Sequence, residues 1–280
     1  MRAPDSSRAT APGGAASRVE SMRSGAACGG IAFVAESSVS KWPSLLAVMR
    51  HAESLATERR KHLEDSRSQE VHLGLPMRDV DVPLTSEGRE HAHATGTRLN
   101  DLGPFDVLYV SPYRRTVQTA EEVMTALAER PPLVKEERLR EKEWGVLEGL
   151  TKHGIRARYP DEEARRRHVG KYYYRPPGGE SYADVNLRVH SFIGTLVREH
   201  ASQRVLLITH QVVVVAFRKL LERMEEEMVL ALDRQDEARP ASLLIYELEH
   251  PDGRNAALVR THWNLILYGH DSPAIARTRS

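Results

Sequence analysis

The sequence predicts an α/β fold with three layers, in which a mostly parallel sheet lies between two layers of helices. From Ser44 onward, short apolar runs alternate with segments of helical periodicity, which is typical of a sheet covered on both faces. Three of the apolar runs end in polar clusters, as expected where the carboxyl ends of parallel strands line a crevice. No internal repeat or linker divides the chain, so we expect one domain over residues 44–268.

The first strand is predicted at Leu45–Met49, and a strongly charged insertion follows at 57–71. The composition of the insertion favours either a solvated helix or a mobile lid. Thr85 is the expected N-cap of the next helix, and Gly103-Pro104 is the expected stop. The apolar face of this helix is formed by residues at helical spacing: Ala92, Gly96, Leu99 and Leu102.

Two further strands are predicted, at Asp106–Val110 and at Val205–Thr209. Pro112 suits the first position of a helix over Tyr113–Glu129, because proline lacks the amide proton that this position leaves unpaired. A later helix, which leads into the strand at Val205, is marked by a periodic apolar stripe: Val185, Val189, Phe192 and Leu196.

The C-terminal part predicts a helix at Gln211–Arg223 and then two strands. These strands, Ser242–Glu249 and Ala256–Trp263, flank the sequence His250-Pro251-Asp252-Gly253, which is typical of a hairpin turn. The tail at 269–280 shows no such pattern and is expected to be loose.

Composition restricts the classes of function. Apolar residues make up 40% and charged residues 28%, an ordinary balance for a soluble globular protein. The formal net charge of +1 gives no reason to expect nucleic acid or an anionic membrane as partner. The one cysteine, Cys28, excludes an internal disulfide and a Cys-rich metal site, and it suits a reducing compartment. We therefore expect a soluble, cytoplasmic protein, and leave its oligomeric state open.

Residues 1–43 differ from the rest of the chain. They are rich in Ala, Gly, Ser and Arg, with few large apolar side chains, so burial cannot offset the entropy of ordering them. A disordered extension and a start codon assigned too far upstream explain the segment equally well.

The polar clusters at three strand ends indicate phosphate chemistry. Arg50-His51 follows the first strand, Ser111 to Thr119 follows the second and includes Arg115, and His210-Gln211 follows Thr209. Arginines bind oxyanions through planar donor pairs, and a neutral imidazole can attack phosphorus. His91 and His93 lie two apart on a helix and do not share a face. Together with other histidines, such as His62 and His262, they are expected to be surface or polar-shell residues and not metal ligands.

With these residues in place, the chain resembles the histidine phosphatase superfamily, also called phosphoglycerate mutase-like. The blocks that carry the resemblance occur in family order: Arg50-His51-Ala52-Glu53, Pro83-Leu84-Thr85-Ser86-Glu87-Gly88, Ser111-Pro112-Tyr113-Arg114-Arg115-Thr116-Val117-Gln118-Thr119-Ala120, Leu139-Arg140-Glu141-Lys142-Glu143-Trp144-Gly145 and Thr209-His210-Gln211. The resemblance implies a phosphoglycerate mutase-like fold and a reaction through a phosphohistidine.

By this resemblance, His51 is the nucleophile, and Arg50, Arg115 and His210 bind the non-bridging oxygens. Glu141 is the acid that protonates the leaving alkoxide and then the base that activates water. Glu143, two residues on, is the alternative acid. The arginines supply the positive charge that the phosphoryl group needs, so no metal and no other cofactor are expected.

The segment Lys171–Tyr182 is similar to the corresponding part of the fructose-2,6-bisphosphatase domain. This similarity implies that basic groups bind a second anionic group of a small phosphorylated substrate. The residues that the resemblance as a whole assigns to substrate binding are Glu53, Ser54, Arg167, Lys171, Tyr182 and Gln211.

The sequence also departs from the family pattern. Val215 replaces an arginine, Lys152 replaces a tyrosine, and Ala52 replaces the glycine of the first block, which would strain a backbone of positive φ. A phosphatase acting on a small phosphate monoester, for example a sugar phosphate or bisphosphate, is our main hypothesis. A cofactor-dependent phosphoglycerate mutase and a non-catalytic, phosphate-binding regulatory protein on the same scaffold are the alternatives.

Overall fold

The computed structural model of the chain describes residues 40–250 and 256–268. The predictions for residues 1–39, for the turn at 251–255 and for the tail at 269–280 lie outside the described residues. Within the predicted extension, Trp42 packs against a hydrophobic core cluster, since its large ring can bury apolar surface that the small residues before it lack.

The described part of the chain contains one six-stranded sheet with the order β3-β2-β4-β1-β5-β6. β1 pairs in parallel with β4, β4 with β2, and β2 with β3, whereas β5 and β6 are antiparallel. The prediction of a mostly parallel sheet is therefore confirmed. The strands are β1 Leu45–Arg50, β2 Val107–Val110, β3 Leu133–Lys135, β4 Arg204–Thr209, β5 Leu243–Glu249 and β6 Ala257–Leu265.

The helices cover both faces of this sheet, which makes three layers. They are α1 Leu55–Asp65, α2 Ser86–Leu99, α3 Arg114–Ala126, α4 Lys152–Arg158, α5 Pro160–Val169, α6 Tyr182–Glu199, α7 Gln211–Leu221 and α8 Glu226–Gln235. Short 3-10 helices lie at Asp79–Asp81, Glu137–Leu139 and Gly145–Leu147. None of these helices in residues 40–250 and 256–268 has the length and apolar character to cross a bilayer.

Alternate residues of the strands contribute to two separate cores, one on each face. Leu46 and Val48 of β1 belong to the cluster formed with α6 and α7, whereas Ala47 and Met49 belong to the cluster formed with α2 and α3. The apolar stripes predicted on α2 and α6 point into these cores, as the near-complete burial of Leu99 and of the four α6 residues shows.

Several boundaries differ from the sequence predictions. Tyr113 has extended backbone angles (φ −63°, ψ 141°) and is the N-cap of α3, so Pro112 precedes the helix instead of opening it. The charged insertion begins as helix α1, with the Ser54 side chain as its N-cap. Helices α4, α5 and α8 and the strand β3 were not predicted. β3 is a three-residue strand with exposed side chains, so it carries no apolar alternation.

Candidate active site

The site lies where β1, β2 and β4 end at one edge of the sheet. In the parallel register Arg50 lies opposite Thr209, and β2 runs beside β4 in the same direction. The residues that follow these strand ends therefore meet. His51 and His210 lie with their ring centroids 5.2 Å apart, and His210 Nε2 lies 2.8 Å from the hydroxyl oxygen of Ser111.

His51 is a buried, neutral imidazole. Its Nδ1 lies 2.7 Å from the carbonyl oxygen of Ala52, which can only accept a hydrogen bond. Nδ1 therefore carries the proton, and Nε2 has a free lone pair. Burial, followed by the positive charges of Arg115 and Arg50, holds the pKa of His51 well below its ordinary value.

Ala52 occupies the glycine position of the first block without strain. It lies outside the left-handed backbone region that would favour glycine. Its side chain is fully buried in the core beside α2 and α3. Its amide donates to Thr119 Oγ1 at 3.1 Å, and the Thr119 hydroxyl donates in turn to the carbonyl of Arg115 at 2.7 Å. The segment after His51 is thus tied to α3.

The two predicted phosphate-binding arginines are buried, and each is held by a carboxylate. Arg50 Nη1 donates to Glu237 Oε1 at 3.0 Å and to the carbonyl of Ala238. Arg115 Nη1 donates to the carbonyl of Asp79 at 2.6 Å, and Nη2 donates to Asp79 Oδ2 at 3.0 Å. Neither carboxylate belongs to a motif block.

His210 is fully buried at the start of α7. Burial, followed by the charges of Arg115 and His51, holds its pKa well below the ordinary value, so the ring is neutral. Its Nδ1 is buried and has no hydrogen-bond partner. If the Ser111 hydroxyl donates to Nε2, this Nδ1 carries a proton that only a ligand can accept, which fits an oxyanion.

The two carboxylates proposed as the acid differ in their surroundings. Glu141 accepts only the backbone amide of Lys142, at 2.9 Å, among the described residues, and burial raises its pKa. Glu143 accepts from the hydroxyl of Tyr113 at 3.1 Å and from Arg140 at 3.3 Å. Among the described residues, the Glu141 carboxylate therefore accepts no hydrogen bond from a side chain, whereas that of Glu143 accepts two.

The loop that carries Glu141 is held by Arg188 of α6. Its guanidinium donates to the carbonyl of Glu141 at 3.2 Å and to that of Arg138 at 2.8 Å, and it forms an ion pair with Glu180. Glu180 also accepts the amide of Glu143 at 3.0 Å. These contacts fix the backbone on both sides of Glu141.

The residues assigned to substrate binding lie in different environments. Gln211 is buried beside His210, and both atoms of its amide group lack hydrogen-bond partners, which leaves them for a ligand. Lys171 Nζ lies 5.7 Å from the ring centroid of the buried Tyr182. Arg167 is exposed on α5 and makes no hydrogen bond or ion pair with any described residue.

Glu53 and Ser54 make internal contacts. Glu53 Oε1 accepts from the Thr85 hydroxyl at 3.2 Å, and its carbonyl accepts the Thr85 amide at 3.0 Å. The Ser54 hydroxyl caps α1 by accepting from the amide of Thr57 at 3.3 Å. Both residues therefore shape the segment after His51, and a substrate-binding role for either remains a prediction.

Two further positions that depart from the family pattern, Val215 and Lys152, lie in different environments. Val215 is buried in the core cluster beside α6. Arg218, three residues on, forms an ion pair with Glu222 at 2.9 Å and packs against Trp263. Lys152 is exposed and forms an ion pair with Glu64 of α1 at 2.8 Å.

Sequence reasoning assigned no role to several residues around the site. The ring of Tyr113 packs against His210 at 4.9 Å and against the guanidinium of Arg115 at 4.8 Å. Lys142 is buried against the ring of Trp144, and burial lowers its pKa to about 8. Tyr113 and Lys142 belong to motif blocks, so the sequence could have indicated that they lie near the site. Asp79 and Glu237 lie outside the blocks, and no motif marks them.

Among residues 40–250 and 256–268, no three His, Cys, Asp or Glu side chains are grouped to hold a metal ion.

Comparison with known proteins gives a consistent result. A family model described as histidine phosphatase superfamily (branch 1) matches residues 46–261. A 2,3-bisphosphoglycerate-dependent phosphoglycerate mutase of Bartonella bacilliformis is 31% identical over 156 residues, which are 54% of this chain and 74% of that protein. The 6-phosphofructo-2-kinase/fructose-2,6-bisphosphatase 3 of Rattus norvegicus is 37% identical over 150 residues, 53% of this chain and 25% of that protein.

Solved structures show the same fold. Mycobacterial glucosyl-3-phosphoglycerate phosphatase superposes with a TM-score of 0.59 at 23% identity, covering 79% of this chain and 99% of that chain.

Proposed function

Because this chain belongs to branch 1 of the histidine phosphatase superfamily, we propose that it is a phosphatase that hydrolyses a small phosphate monoester through a phosphohistidine at His51. The observation that carries the proposal is the neutral His51 imidazole, with Nε2 free, beside the buried guanidinium groups of Arg50 and Arg115. Phosphoryl transfer uses a positioned nucleophile and fixed positive charge at the phosphoryl oxygens. The neutral imidazole and the two guanidinium groups can supply both.

In the first step, His51 Nε2 attacks phosphorus, so an N–P bond forms and the P–O bond to the leaving group breaks. The leaving alkoxide takes a proton from Glu141. The raised pKa of Glu141 supports this role, because the carboxyl group must be protonated when the step begins. The arginines and the unpaired Nδ1 of His210 stabilise the charge on the non-bridging oxygens.

In the second step, water attacks the phosphohistidine. Glu141, now ionised, takes a proton from the water, the N–P bond breaks and inorganic phosphate leaves. Arg50 and Arg115 already provide positive charge at the phosphoryl group, and we propose that the reaction needs no metal ion.

A sugar phosphate or bisphosphate is the proposed substrate class. Lys171 and the unpaired amide of Gln211 support it. Lys171 places a cation in the segment that is similar to the fructose-2,6-bisphosphatase domain, and Gln211, beside His210, adds neutral hydrogen-bonding groups. The relative from Rattus norvegicus includes such a domain in its name.

A phosphoglycerate mutase is the second candidate, and the identity with mutases favours it. A mutase must keep a bisphosphorylated intermediate bound while that intermediate reorients in the pocket. The basic residues of α5 do not favour this, because Arg165 and Arg166 lie near Glu162 and Glu163 of the same helix and Arg167 is exposed. A non-catalytic scaffold is less favoured, since Ala52 fits without backbone strain.

The test is phosphate release by purified protein, with a chelator present, from sugar phosphates, phosphoglycerates and nucleotides. The His51→Ala variant is the control for contaminating phosphatases. We expect release by the wild-type protein alone. Conversion of 3-phosphoglycerate to 2-phosphoglycerate without release would identify a mutase. A folded wild-type protein that binds phosphate but processes no ester would contradict the phosphatase proposal and favour the scaffold.

A further inference from the structure

The guanidinium of Arg115 is engaged by one residue through two of its nitrogens. Asp79 accepts from Nη1 with its backbone carbonyl, at 2.6 Å, and from Nη2 with Oδ2, at 3.0 Å. The Arg115 side chain is 5% exposed, whereas that of Asp79 is 29% exposed. Asp79 therefore covers the terminal edge of the guanidinium and separates it from solvent.

This contact leaves the other donors of Arg115 unused. A guanidinium has about five N–H donors, of which Asp79 takes two. The remaining donors, which include Nε–H, have no acceptor among the described residues. An oxyanion can bind side-on to Nε and one Nη, because that pair also forms a planar fork. The Asp79 contact and phosphate binding are thus compatible on one guanidinium.

Arg50 is held in the same manner. Its Nη1 donates to Glu237 Oε1 and to the carbonyl of Ala238, whereas its Nε is buried without a partner. Both arginines are therefore fixed through terminal nitrogens and keep Nε free. Of the two contacts, that of Asp79 is the more enclosed, because Glu237 is 57% exposed.

Asp79 is itself held in place and lies near the proposed acid. It opens the 3-10 helix Asp79–Asp81, and its amide donates to Glu148 Oε1 at 3.1 Å. The negative charge of Asp79 adds to burial in raising the pKa of Glu141, and it opposes the effect of Arg115 on the same group.

We propose that Asp79 is a positioning residue that fixes the terminal edge of the Arg115 guanidinium, so that the Nε edge is directed to the phosphoryl group. The proposal rests on the proposed function. In this role Asp79 strengthens phosphate binding. Charge alone predicts that Asp79 weakens phosphate binding, since a carboxylate near an anion site repels the anion. The two effects have opposite signs in a binding measurement, which makes the role testable.

The experiment compares Asp79→Asn and Asp79→Ala with the wild-type protein. The affinity for inorganic phosphate is measured by calorimetry, and kcat and KM are measured with one hydrolysed ester across pH. Asp79→Asn keeps the shape of the side chain and the backbone acceptor, so it serves if Asp79→Ala fails to fold. Asp81→Asn is the matched control, because Asp81 lies in the same turn but pairs with the exposed Arg78 at 2.8 Å.

We expect both Asp79 variants to bind phosphate more weakly than the wild type, although a negative charge has been removed. We expect kcat to fall about 100-fold in Asp79→Ala, the cost of a misdirected catalytic group. The alkaline limb of the pH profile should move to lower pH, since Glu141 loses a neighbouring negative charge. Asp81→Asn should change none of these quantities.

Tighter phosphate binding in Asp79→Asn with kcat unchanged would overturn the proposal, because Asp79 would then only compete with phosphate. Unaltered binding and an unaltered pH profile would overturn it as well. If the wild type hydrolyses no ester, the proposed function fails, but the phosphate affinities of the variants still decide the role of Asp79.

Discussion

The Nδ1 of His51 lies 2.7 Å from the carbonyl oxygen of Ala52, the next residue in the chain. This contact determines which nitrogen can react, because a carbonyl oxygen can only accept a hydrogen bond, so Nδ1 must carry the proton that it donates. Nε2 is left with its lone pair, and burial beside two arginines keeps the ring neutral. The contact thus selects both the tautomer and the protonation state of the proposed nucleophile.

The first prediction is that phosphorylation occurs on Nε2 of His51 and not on Nδ1. The protein is mixed with a substrate, quenched in base, which preserves phosphohistidine, and digested. Phosphorus NMR of the labelled peptide then distinguishes the two isomers. His51→Ala should carry no label. An Nδ1 phosphohistidine would show that the ring turns or that the Ala52 contact breaks before the reaction.

The second prediction separates the two carboxylates. Glu141→Gln should lower kcat/KM for an alkyl phosphate by about 100- to 10,000-fold, the usual contribution of general acid catalysis. Its effect on an aryl phosphate should be much smaller, because a nitrophenolate leaves without a proton. Glu143→Gln should affect both esters alike, since it weakens contacts with Tyr113 and Arg140. A leaving-group dependence in Glu143→Gln alone would assign the acid to Glu143.

The third prediction concerns stability. Burial raises the pKa of Glu141 above its ordinary value of 4.5, so the folded protein binds this proton more readily than the unfolded chain. The carboxyl group therefore destabilises the fold increasingly as pH rises above about 4.5, and contributes no penalty below it. Glu141→Gln should raise Tm at pH 8, by about 2–4 °C for each kcal/mol recovered, and should not raise it near pH 4.5.

Thermal unfolding at a series of pH values measures this effect. Glu137→Gln is the control, because Glu137 is exposed on the preceding 3-10 helix and its replacement removes the same charge from the same segment. A gain in Glu141→Gln that is independent of pH would show that the cause is not the desolvated carboxylate.

The sequence was sufficient to predict the centre of the fold and the groups at the strand ends. Apolar runs in the sequence indicate the buried strands. Parallel pairing then brings together the residues that follow those strands, as the position of Arg50 opposite Thr209 shows. The structure also shows what some motif residues beside the site contribute to the fold. Gln118 Oε1 accepts the amide of Leu84 at 2.9 Å, and Thr119 accepts the amide of Ala52 at 3.1 Å, so one turn of α3 joins two other blocks.

The groups that hold the arginines could not be predicted. Asp79 stands at the start of a short 3-10 helix and Glu237 follows the unpredicted helix α8, so neither residue belongs to a predicted element. Their positions depend on tertiary packing and not on a local sequence pattern. The sequence does not distinguish Asp79, which pairs with the buried Arg115, from Asp81, which pairs with the exposed Arg78.

The last prediction concerns Gly88, the glycine of the block Pro83-Leu84-Thr85-Ser86-Glu87-Gly88, and its contact with the segment after His51. Gly88 lies in the first turn of α2, where a Cβ would overlap the backbone carbonyl of Glu53, two residues after His51. Gly88→Ala should therefore displace this segment and lower both kcat/KM and Tm. Gly194→Ala in α6 is the matched control, because its Cβ would meet only the movable end of Arg198. That variant should be neutral or stabilising by up to about 1 kcal/mol, the helix preference of alanine over glycine. Equal Tm values and equal kcat/KM for the two variants would show that the contact between Gly88 and Glu53 imposes no constraint on the site.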